Sequence, residues 1–184
     1  MDEVLSFKQM VVWDKGKMGM GWHYRRSYET ILVAQNGNGK TNWYDDSHTI
    51  ENVIRPGDYG IQKIIPGADD HPTPKPVALA EHFLRLYTKP GDTVLDPFMG
   101  HGWVGIAALN LGRNFIGIEV DPEHFGQAER RIGARKELQR LSLFPDGFAA
   151  EVATRKGFQT NSLFPDEALA FADSEINPRD DHDH

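Results

Sequence analysis

The chain has 184 residues, of which 39% are hydrophobic and 26% charged, and its formal net charge is −7. This length and balance fit one globular α/β domain with a sizeable core. The lack of cysteine excludes disulfides and cysteine metal sites, and no apolar run is long enough to predict a membrane span. The first residues lack the basic start and apolar stretch of a secretory signal, so we expect a cytoplasmic setting.

The negative charge is concentrated at the end of the chain. Residues 165–184 hold seven acidic side chains against one base, and they contribute −6 of the total. The preceding residues therefore carry a charge of −1, with basic side chains grouped near 15–26 and 130–140. This balance does not exclude a nucleic-acid partner, and it does not indicate one either.

The first part of the chain predicts strands separated by glycine-rich turns. Residues 10–13 form a short apolar run, and a glycine-spaced loop follows it. Residues 28–34 are rich in β-branched and aromatic side chains and are stopped by Asn-Gly-Asn-Gly at 36–39, so they predict a strand. Residues 40–70 are polar and turn-rich, and we interpret them as an excursion from the sheet rather than part of it.

From residue 76 onward, helices and strands alternate. Apolar residues at helical spacing predict helices over 76–86, 104–111 and 122–140. Between them, apolar runs at 93–95 and 115–118 predict buried strands. Helices that alternate with buried strands indicate an α/β fold with a mostly parallel sheet and helices on both faces.

The most specific pattern lies at the ends of these two strands. Asp96 follows the first strand and begins a turn that contains Gly100 and Gly102, while Glu119 ends the second strand 23 residues later. This is the spacing of one strand-helix-strand unit. Glycine lets backbone approach a ligand closely, and a carboxylate at the strand end accepts hydrogen bonds from ribose hydroxyls. The sequence therefore predicts a nucleoside site.

Four segments, in this order, resemble the motifs of a known family. They are Trp13-Asp14-Lys15-Gly16 with Arg26-Ser27-Tyr28-Glu29, His71-Pro72-Thr73-Pro74-Lys75-Pro76, Asp96-Pro97-Phe98-Met99-Gly100-His101-Gly102 and Gly117-Ile118-Glu119-Val120-Asp121-Pro122. Together they resemble S-adenosylmethionine-dependent DNA amino-methyltransferases, in the subgroup whose catalytic motif precedes the cofactor motifs. The resemblance implies site-specific methylation of adenine N6 or cytosine N4, as in bacterial or phage restriction-modification. It also implies a Rossmann-like methyltransferase domain over 1–140, with 40–70 in the place of the target-recognition region.

The resemblance further implies which residues bind S-adenosylmethionine. Asp96 would hold the cationic amino group of the methionine moiety, and Glu119 would accept from the ribose hydroxyls. Phe98 would form an apolar wall, and Phe125 would flank the adenine. The other implied contacts are the turn glycines and the residues on the methionine side, namely Gly100, Gly102, Thr73 and Lys75. Two alternatives stay open: a helix-capping role for Asp96 and a solvated strand end at Glu119.

Two departures from the family pattern matter. His101 and Trp103 stand where the family has small residues, and such side chains either block the cofactor pocket or point away from it. The family's Pro-Pro-Tyr or Pro-Pro-Phe motif, which orients the base amine, is missing, since the chain contains no Pro-Pro pair. We therefore assign no catalytic residue and expect weak or no methylation by this chain alone. The resemblance implies a truncated enzyme, or one completed by a second chain or second copy that covers the open sheet edge.

A cluster of aromatic and basic residues predicts contact with double-stranded DNA. Trp22, His23 and Tyr24 lie next to a flexible glycine-spaced loop. The basic residues assigned to DNA are Lys15, Lys17, Arg25 and Arg26. Arginine suits phosphates, and aromatic rings suit unstacked bases. A packed loop with surface arginines explains the same cluster equally well.

Residues 141–184 are expected to form a partly disordered, acidic tail. Ser-Leu-Phe-Pro-Asp occurs in it twice, at 142–146 and 162–166. The two copies either dock the tail onto the domain or form a short linear motif, and residues 139–144 loosely resemble a bacterial sliding-clamp peptide. An alternative function is therefore a non-catalytic methyltransferase-fold protein that binds DNA or a protein partner. No metal is expected, because the histidines show no ligand spacing.

Overall fold

A computed structural model describes residues 5–37, 39–61 and 75–141. The chain divides into two compact units, Met1–Ile132 and Gly133–His184. Every strand and every site contact given below belongs to the first unit. Both copies of Ser-Leu-Phe-Pro-Asp lie outside the described residues, so the interpretation of the tail stays a prediction.

The first sheet has three strands in the order β2-β1-β3. Strand β1 spans Leu5–Asp14, strand β2 spans Tyr28–Asn36, and the two pair antiparallel. The strand predicted at 28–34 is confirmed. The apolar run at 10–13 lies in the second half of a longer strand. Its first half mixes apolar Leu5 and Phe7 with polar side chains, and the sequence analysis did not predict it.

Strand β3, Val53–Ile54, pairs parallel with β1 and places Ile54 beside Trp13. The interpretation of 40–70 as lying outside the sheet is therefore wrong at these two residues. A two-residue strand is too short to show a periodic pattern, and only its burial against β1 reveals it. Elsewhere in the described part of this segment, a 3-10 turn at Asp58–Gly60 is the one further regular element.

The core of this unit joins the first sheet to helix α1, Val77–Tyr87. Its buried members are Val11, Trp13, Ile54, Ile61 and Leu79. Val11 and Trp13 are two positions apart on β1. They point to the same face of the sheet, because successive side chains of a strand point to opposite faces. On the same helix, His82 is buried and stacks on Tyr59 with ring centroids 4.0 Å apart, and burial lowers the pKa of this imidazole.

The second sheet consists of two parallel strands, β4 (Thr93–Asp96) and β5 (Asn114–Gly117). Helix α2, Trp103–Asn110, connects them, and helix α3, Pro122–Leu141, follows β5. The three helices predicted after residue 75 are confirmed to within one residue at each end. The two predicted strands are also confirmed, but β5 ends at Gly117, two residues before the Glu119 that the sequence analysis placed at its end. None of the helices in the described ranges is long and apolar enough to cross a bilayer.

The described strands form two sheets, where the sequence predicted one mostly parallel sheet. Strands β1 and β2 run antiparallel because a loop connects them instead of a crossover helix. The two faces of the β4–β5 pair also differ. Val94 and Phe115 are partly buried, whereas Leu95 and Ile116 are 60% and 54% exposed. One face of this sheet therefore presents apolar side chains to solvent in the described structure.

Candidate functional site

Strands β4 and β5 end side by side at the predicted nucleoside site. Their register pairs Leu95 with Ile116 and Asp96 with Gly117. The N–H of Ile118 then donates to the carbonyl of Asp96 at 2.9 Å. Carboxyl ends of parallel strands share one sheet edge, which is where such folds bind ligands. Asp96 and the residues that follow β5 thus lie at the same edge.

The turn after β4 folds back onto the end of β5. The N–H of Met99 donates to the carbonyl of Ile118 at 3.0 Å, and the N–H of Gly100 donates to Oε2 of Glu119 at 2.9 Å. Gly100 and Gly102 have φ values of 50° and 76°. Other L residues rarely adopt this region, so the backbone of the turn depends on glycine.

The two glycines of the turn have different surroundings. A Cβ at Gly100 would meet no atom within 4 Å. A Cβ at Gly102 would stand 2.9 Å from Cδ1 of Ile132 and 3.1 Å from Cβ of Ala128. Gly102 therefore allows the turn to pack against α3, a role that the sequence reasoning did not assign. Of the two, Gly100 is the glycine whose missing side chain leaves open space for a ligand.

Glu119 is held as an oriented carboxylate. Its Oε1 accepts from the N–H of Asp121 at 3.0 Å, and its Oε2 accepts from the N–H of Gly100 at 2.9 Å. These backbone donors, that of Asp121 first, hold the pKa of Glu119 below its usual value. Each carboxylate oxygen has a second lone pair, so the group can still accept hydrogen bonds from a diol.

Asp96 uses one carboxylate oxygen inside its own turn. Its Oδ1 accepts from the N–H of Phe98 at 3.1 Å. Helix α2 follows Gly102 and has no side-chain cap, so Asp96 does not take the alternative role of helix cap. Phe98 and Phe125 are both exposed, and so is Val120, which the sequence reasoning did not single out. Apolar surface thus accompanies the two carboxylates.

The two bulky residues that depart from the family pattern, His101 and Trp103, contact different parts of the protein. Trp103 is partly buried and packs against the core cluster that contains Trp13. The ring of His101 lies 4.8 Å from the ring of His124, and its backbone carbonyl accepts from Arg131 at 3.2 Å. The indole of Trp103 therefore belongs to the core.

Among the described residues, no three metal-ligating side chains come together.

Lys75 lies in an ion-pair cluster on the first sheet. Its Nζ donates to both carboxylate oxygens of Glu29 at 2.7 Å and stands 5.5 Å from the centre of the Trp13 ring. Partial burial by itself would raise the pKa of Glu29. The hydrogen bonds and positive charges of Lys75, and to a smaller extent of Lys15, have the larger opposite effect, so this pKa is lowered. The sequence reasoning missed Glu29, although a lone acid in an apolar strand was a usable signal. Thr73 lies outside the described residues.

The four basic residues assigned to DNA fall into two groups. Lys15 has a side chain only 14% exposed, and its Nζ is 3.5 Å from Glu29. Arg25 and Arg26 are exposed in the loop between β1 and β2, and Lys17 is partly exposed there. The structure therefore uses Lys15 in the ion-pair cluster and leaves the other three on the loop.

A parallel strand pair that ends in a glycine turn beside two carboxylates defines an α/β fold of the nucleoside-binding class. A family model described as DNA methylase, covering the N6 and N4 types, matches residues 1–130. The chain belongs to this DNA methylase family, and its fold is the Rossmann-like methyltransferase fold that the sequence predicted.

Individual relatives agree with this family. The chain is 36% identical over 124 residues to the type II methyltransferase M2.DpnII of Streptococcus pneumoniae, across 62% of this chain and 46% of that protein. It is 44% identical over 64 residues to M.BglI of Bacillus subtilis, across 35% of this chain and 18% of that protein. The crystal structure of the M1.HpyAVI–SAM complex matches with a TM-score of 0.55 and 36% identity, across 71% of this chain and 64% of that one. The chain thus spans less than half of the curated relatives and less than two thirds of the solved structure.

Proposed function

We propose that this chain forms the S-adenosylmethionine-binding part of a DNA amino-methyltransferase, which transfers a methyl group to the exocyclic amine of adenine or cytosine. The observation that carries the proposal is the hydrogen bond from Gly100 to Glu119. It joins the glycine turn after one strand to the carboxylate after the next, so both lie at one nucleoside-binding edge. The fold alone would support many functions.

The residues at this edge fit a sulfonium nucleoside. Open space at Gly100 lets a ligand approach the backbone, and Glu119 offers an ionised acceptor to the ribose hydroxyls. The carboxylate of Asp96 suits the cationic amino group, and the exposed ring of Phe98 suits apolar contact. When bound, S-adenosylmethionine supplies an electrophilic methyl group. Lys75 donates to Glu29 of β2. We therefore propose that Lys75 mainly stabilises the first sheet, and that a contact with the methionine part of S-adenosylmethionine is secondary.

The groups that activate the base amine must come from outside the residues of this sequence. An amine conjugated to a base ring is a poor nucleophile until positioned acceptors localise its lone pair. The sequence contains no Pro-Pro pair to supply the family's acceptors. Leu95 and Ile116 expose one face of the second sheet, and parallel sheets are normally covered on both faces. A further part of the protein, a second chain or a second copy would cover this face and complete the site.

Isothermal calorimetry with S-adenosylmethionine tests the cofactor assignment. Asp96→Asn and Glu119→Gln each remove one charge and should weaken binding about 10- to 100-fold, the value of a hydrogen bond to a charged group. Asp92→Asn is the matched control, because Asp92 lies just before the same strand and its carboxylate accepts from the N–H of Lys89 at 3.0 Å, away from the glycine turn. Undetectable binding by the unaltered chain, or equal affinity in all variants, would refute the assignment.

A methylation assay tests the dependence on added catalytic groups. The purified chain, incubated with cofactor and unmethylated DNA, should give little or no methylated base, because proximity without activation supplies only part of the rate. Strong turnover by this chain alone would contradict that dependence while leaving cofactor binding intact.

A second candidate function is a non-catalytic protein of the same fold that binds DNA or a protein. The observation that favours it is the exposure of Trp22 and Tyr24 on the loop between β1 and β2, away from the glycine turn in sequence. Calorimetry separates the two candidates, because only the enzyme part requires S-adenosylmethionine to bind.

A further inference from the structure

The loop between β1 and β2, residues 15–27, is a defined projection, which we call the β1–β2 finger. At its base, the N–H of Lys15 donates to the carbonyl of Ser27 at 2.9 Å. Further out, the N–H of Gly19 donates to the carbonyl of Arg26 at 2.6 Å. The Nε of Arg25 also donates to the carbonyl of Gly19 at 3.0 Å. The two sides of the finger are thus tied together along its length.

Glycines permit this close pairing. A Cβ at Gly19 would stand 2.7 Å from the carbonyl oxygen of Arg26, and one at Gly21 would stand 2.5 Å from that of Tyr24. Both contacts are with backbone, so a side chain at either position would force the finger apart. The glycine spacing that looked like simple flexibility in the sequence is therefore a requirement of a narrow, preorganised hairpin.

The tip of the finger presents aromatic rings to solvent. Trp22 is 89% exposed and Tyr24 is 95% exposed, and the ring of Trp22 lies 4.1 Å from that of His23. Leaving a large aromatic side chain in water forgoes the free energy that its burial would contribute. Two such rings, two residues apart on a tied hairpin, indicate a surface that binds a partner.

Charge identifies the chemistry of that partner. The finger contains four lysines and arginines and no acidic residue, in a chain whose net charge is −7. Lys15 pairs with Glu29 at the base, which leaves Lys17, Arg25 and Arg26 with the aromatic tip. Arginine beside exposed aromatic rings suits a phosphate backbone whose bases are available for stacking.

We infer that the β1–β2 finger binds unstacked bases of single-stranded or locally opened DNA, and that it does so without cofactor. Trp22 and Tyr24 stack on bases, while Arg25 and Arg26 contact phosphates. An intact duplex hides the faces of its bases, so the rings contribute little there and the preference is for opened DNA. This inference extends the proposed function, because it takes DNA as the substrate and specifies the state of DNA that the chain recognises.

Fluorescence anisotropy on the full chain, without S-adenosylmethionine, tests the inference. The probes are a fluorescein-labelled oligothymidine of about 12 nucleotides, a duplex of the same length and a duplex with an unpaired internal segment. We expect the single strand and the opened duplex to bind more tightly than the intact duplex. Trp22→Ala and Tyr24→Ala should each lower affinity for the single strand about tenfold, with little effect on the intact duplex.

Salt dependence separates the two kinds of contact. The slope of the logarithm of the binding constant against the logarithm of salt concentration is measured between about 50 and 200 mM salt. In the double variant Arg25→Ala and Arg26→Ala, this slope should become less steep by about 0.7 per lost phosphate contact. The aromatic variants should leave the slope unchanged. Tyr44→Ala and Lys89→Ala are controls, since they remove an exposed ring and an exposed cation outside the finger. Both should bind like the unaltered chain.

Three results would overturn the inference: equal affinity for intact and opened DNA, unchanged single-strand binding in both aromatic variants, or binding to anionic phospholipid vesicles in place of DNA. Calorimetry with S-adenosylmethionine on the same variants tests the proposed function separately. The inference about the finger can fail while cofactor binding is retained. Cofactor affinity should be unchanged in all finger variants, because the described hydrogen bonds and ring contacts of the varied residues lie within the finger itself.

Discussion

The two sheets of the first unit differ in what their side chains do. The three-stranded sheet places Trp13 and Ile54 in the buried core, and it carries the finger at one end. The two-stranded sheet leaves Leu95 and Ile116 exposed, and it carries Asp96 and the glycine turn. Two of the largest fully buried side chains and the candidate nucleoside site therefore lie in different sheets. Substitutions can separate the two contributions.

The largest effect on stability should come from the core of the first sheet. Ile54→Ala should lower the free energy of unfolding by about 2–5 kcal/mol, because Ile54 is 0% exposed and the change leaves a cavity. Leu95→Ala, on the exposed face of the second sheet, is the matched control and should change it by about 0.5 kcal/mol or less. Urea unfolding measures both, and similar losses in the two variants would contradict the contrast between the sheets.

The next largest effect should lie within the glycine turn. Gly102→Ala should cost about 2–4 kcal/mol, because it combines a left-handed backbone with contact against Ile132. Gly100 also has a positive φ, but a Cβ there would meet open space. Gly100→Ala should therefore lower the free energy of unfolding by about 1 kcal/mol. Urea unfolding compares these two variants as well. A larger loss for Gly100→Ala would show that the turn packs differently.

A smaller, pH-dependent effect should appear at the ion-pair cluster. Glu29→Gln should cost about 1 kcal/mol or less at neutral pH, since the Glu29 side chain is 38% exposed and its attraction to Lys75 is screened by solvent. The pKa of Glu29 is lowered by folding, so the contribution is present above its unfolded pKa and is lost as pH falls through the folded value. Urea unfolding of variant and parent should therefore converge below the ordinary glutamate pKa of 4.5. A gap that persists in acid would mean that the ion pairs are not its source.

The smallest effect should be at the finger tip. Trp22→Ala should shift the free energy of unfolding by about 0.5 kcal/mol or less, because an exposed ring contributes little to stability. Thermal unfolding of this variant and its parent provides the measurement. A clear loss of stability would show that Trp22 packs within the protein, and it would remove the basis for a partner-binding tip.

Much of the second sheet could be predicted from sequence. The helices and strands after residue 75 show clear apolar periods, and the Asp96 to Glu119 spacing identifies the strand-helix-strand unit. Strand β3 could not be predicted, since two residues show no period and their burial depends on β1. The ion pair of Lys75 with Glu29 joins residues 46 positions apart, and no local pattern indicates it.

The sequence by itself therefore determined the family, through its motifs. It also determined the glycine turn and the order of elements after residue 75, because these depend on backbone preferences and spacings within a few tens of residues. Only the tertiary structure decided that Gly102 serves packing, that Lys15 and Lys75 share Glu29, and that Trp103 enters the core. It also decided that Gly19 and Gly21 make the finger narrow. Each of these outcomes depends on which side chain or carbonyl a group meets across the fold, and that contact is set by packing between elements.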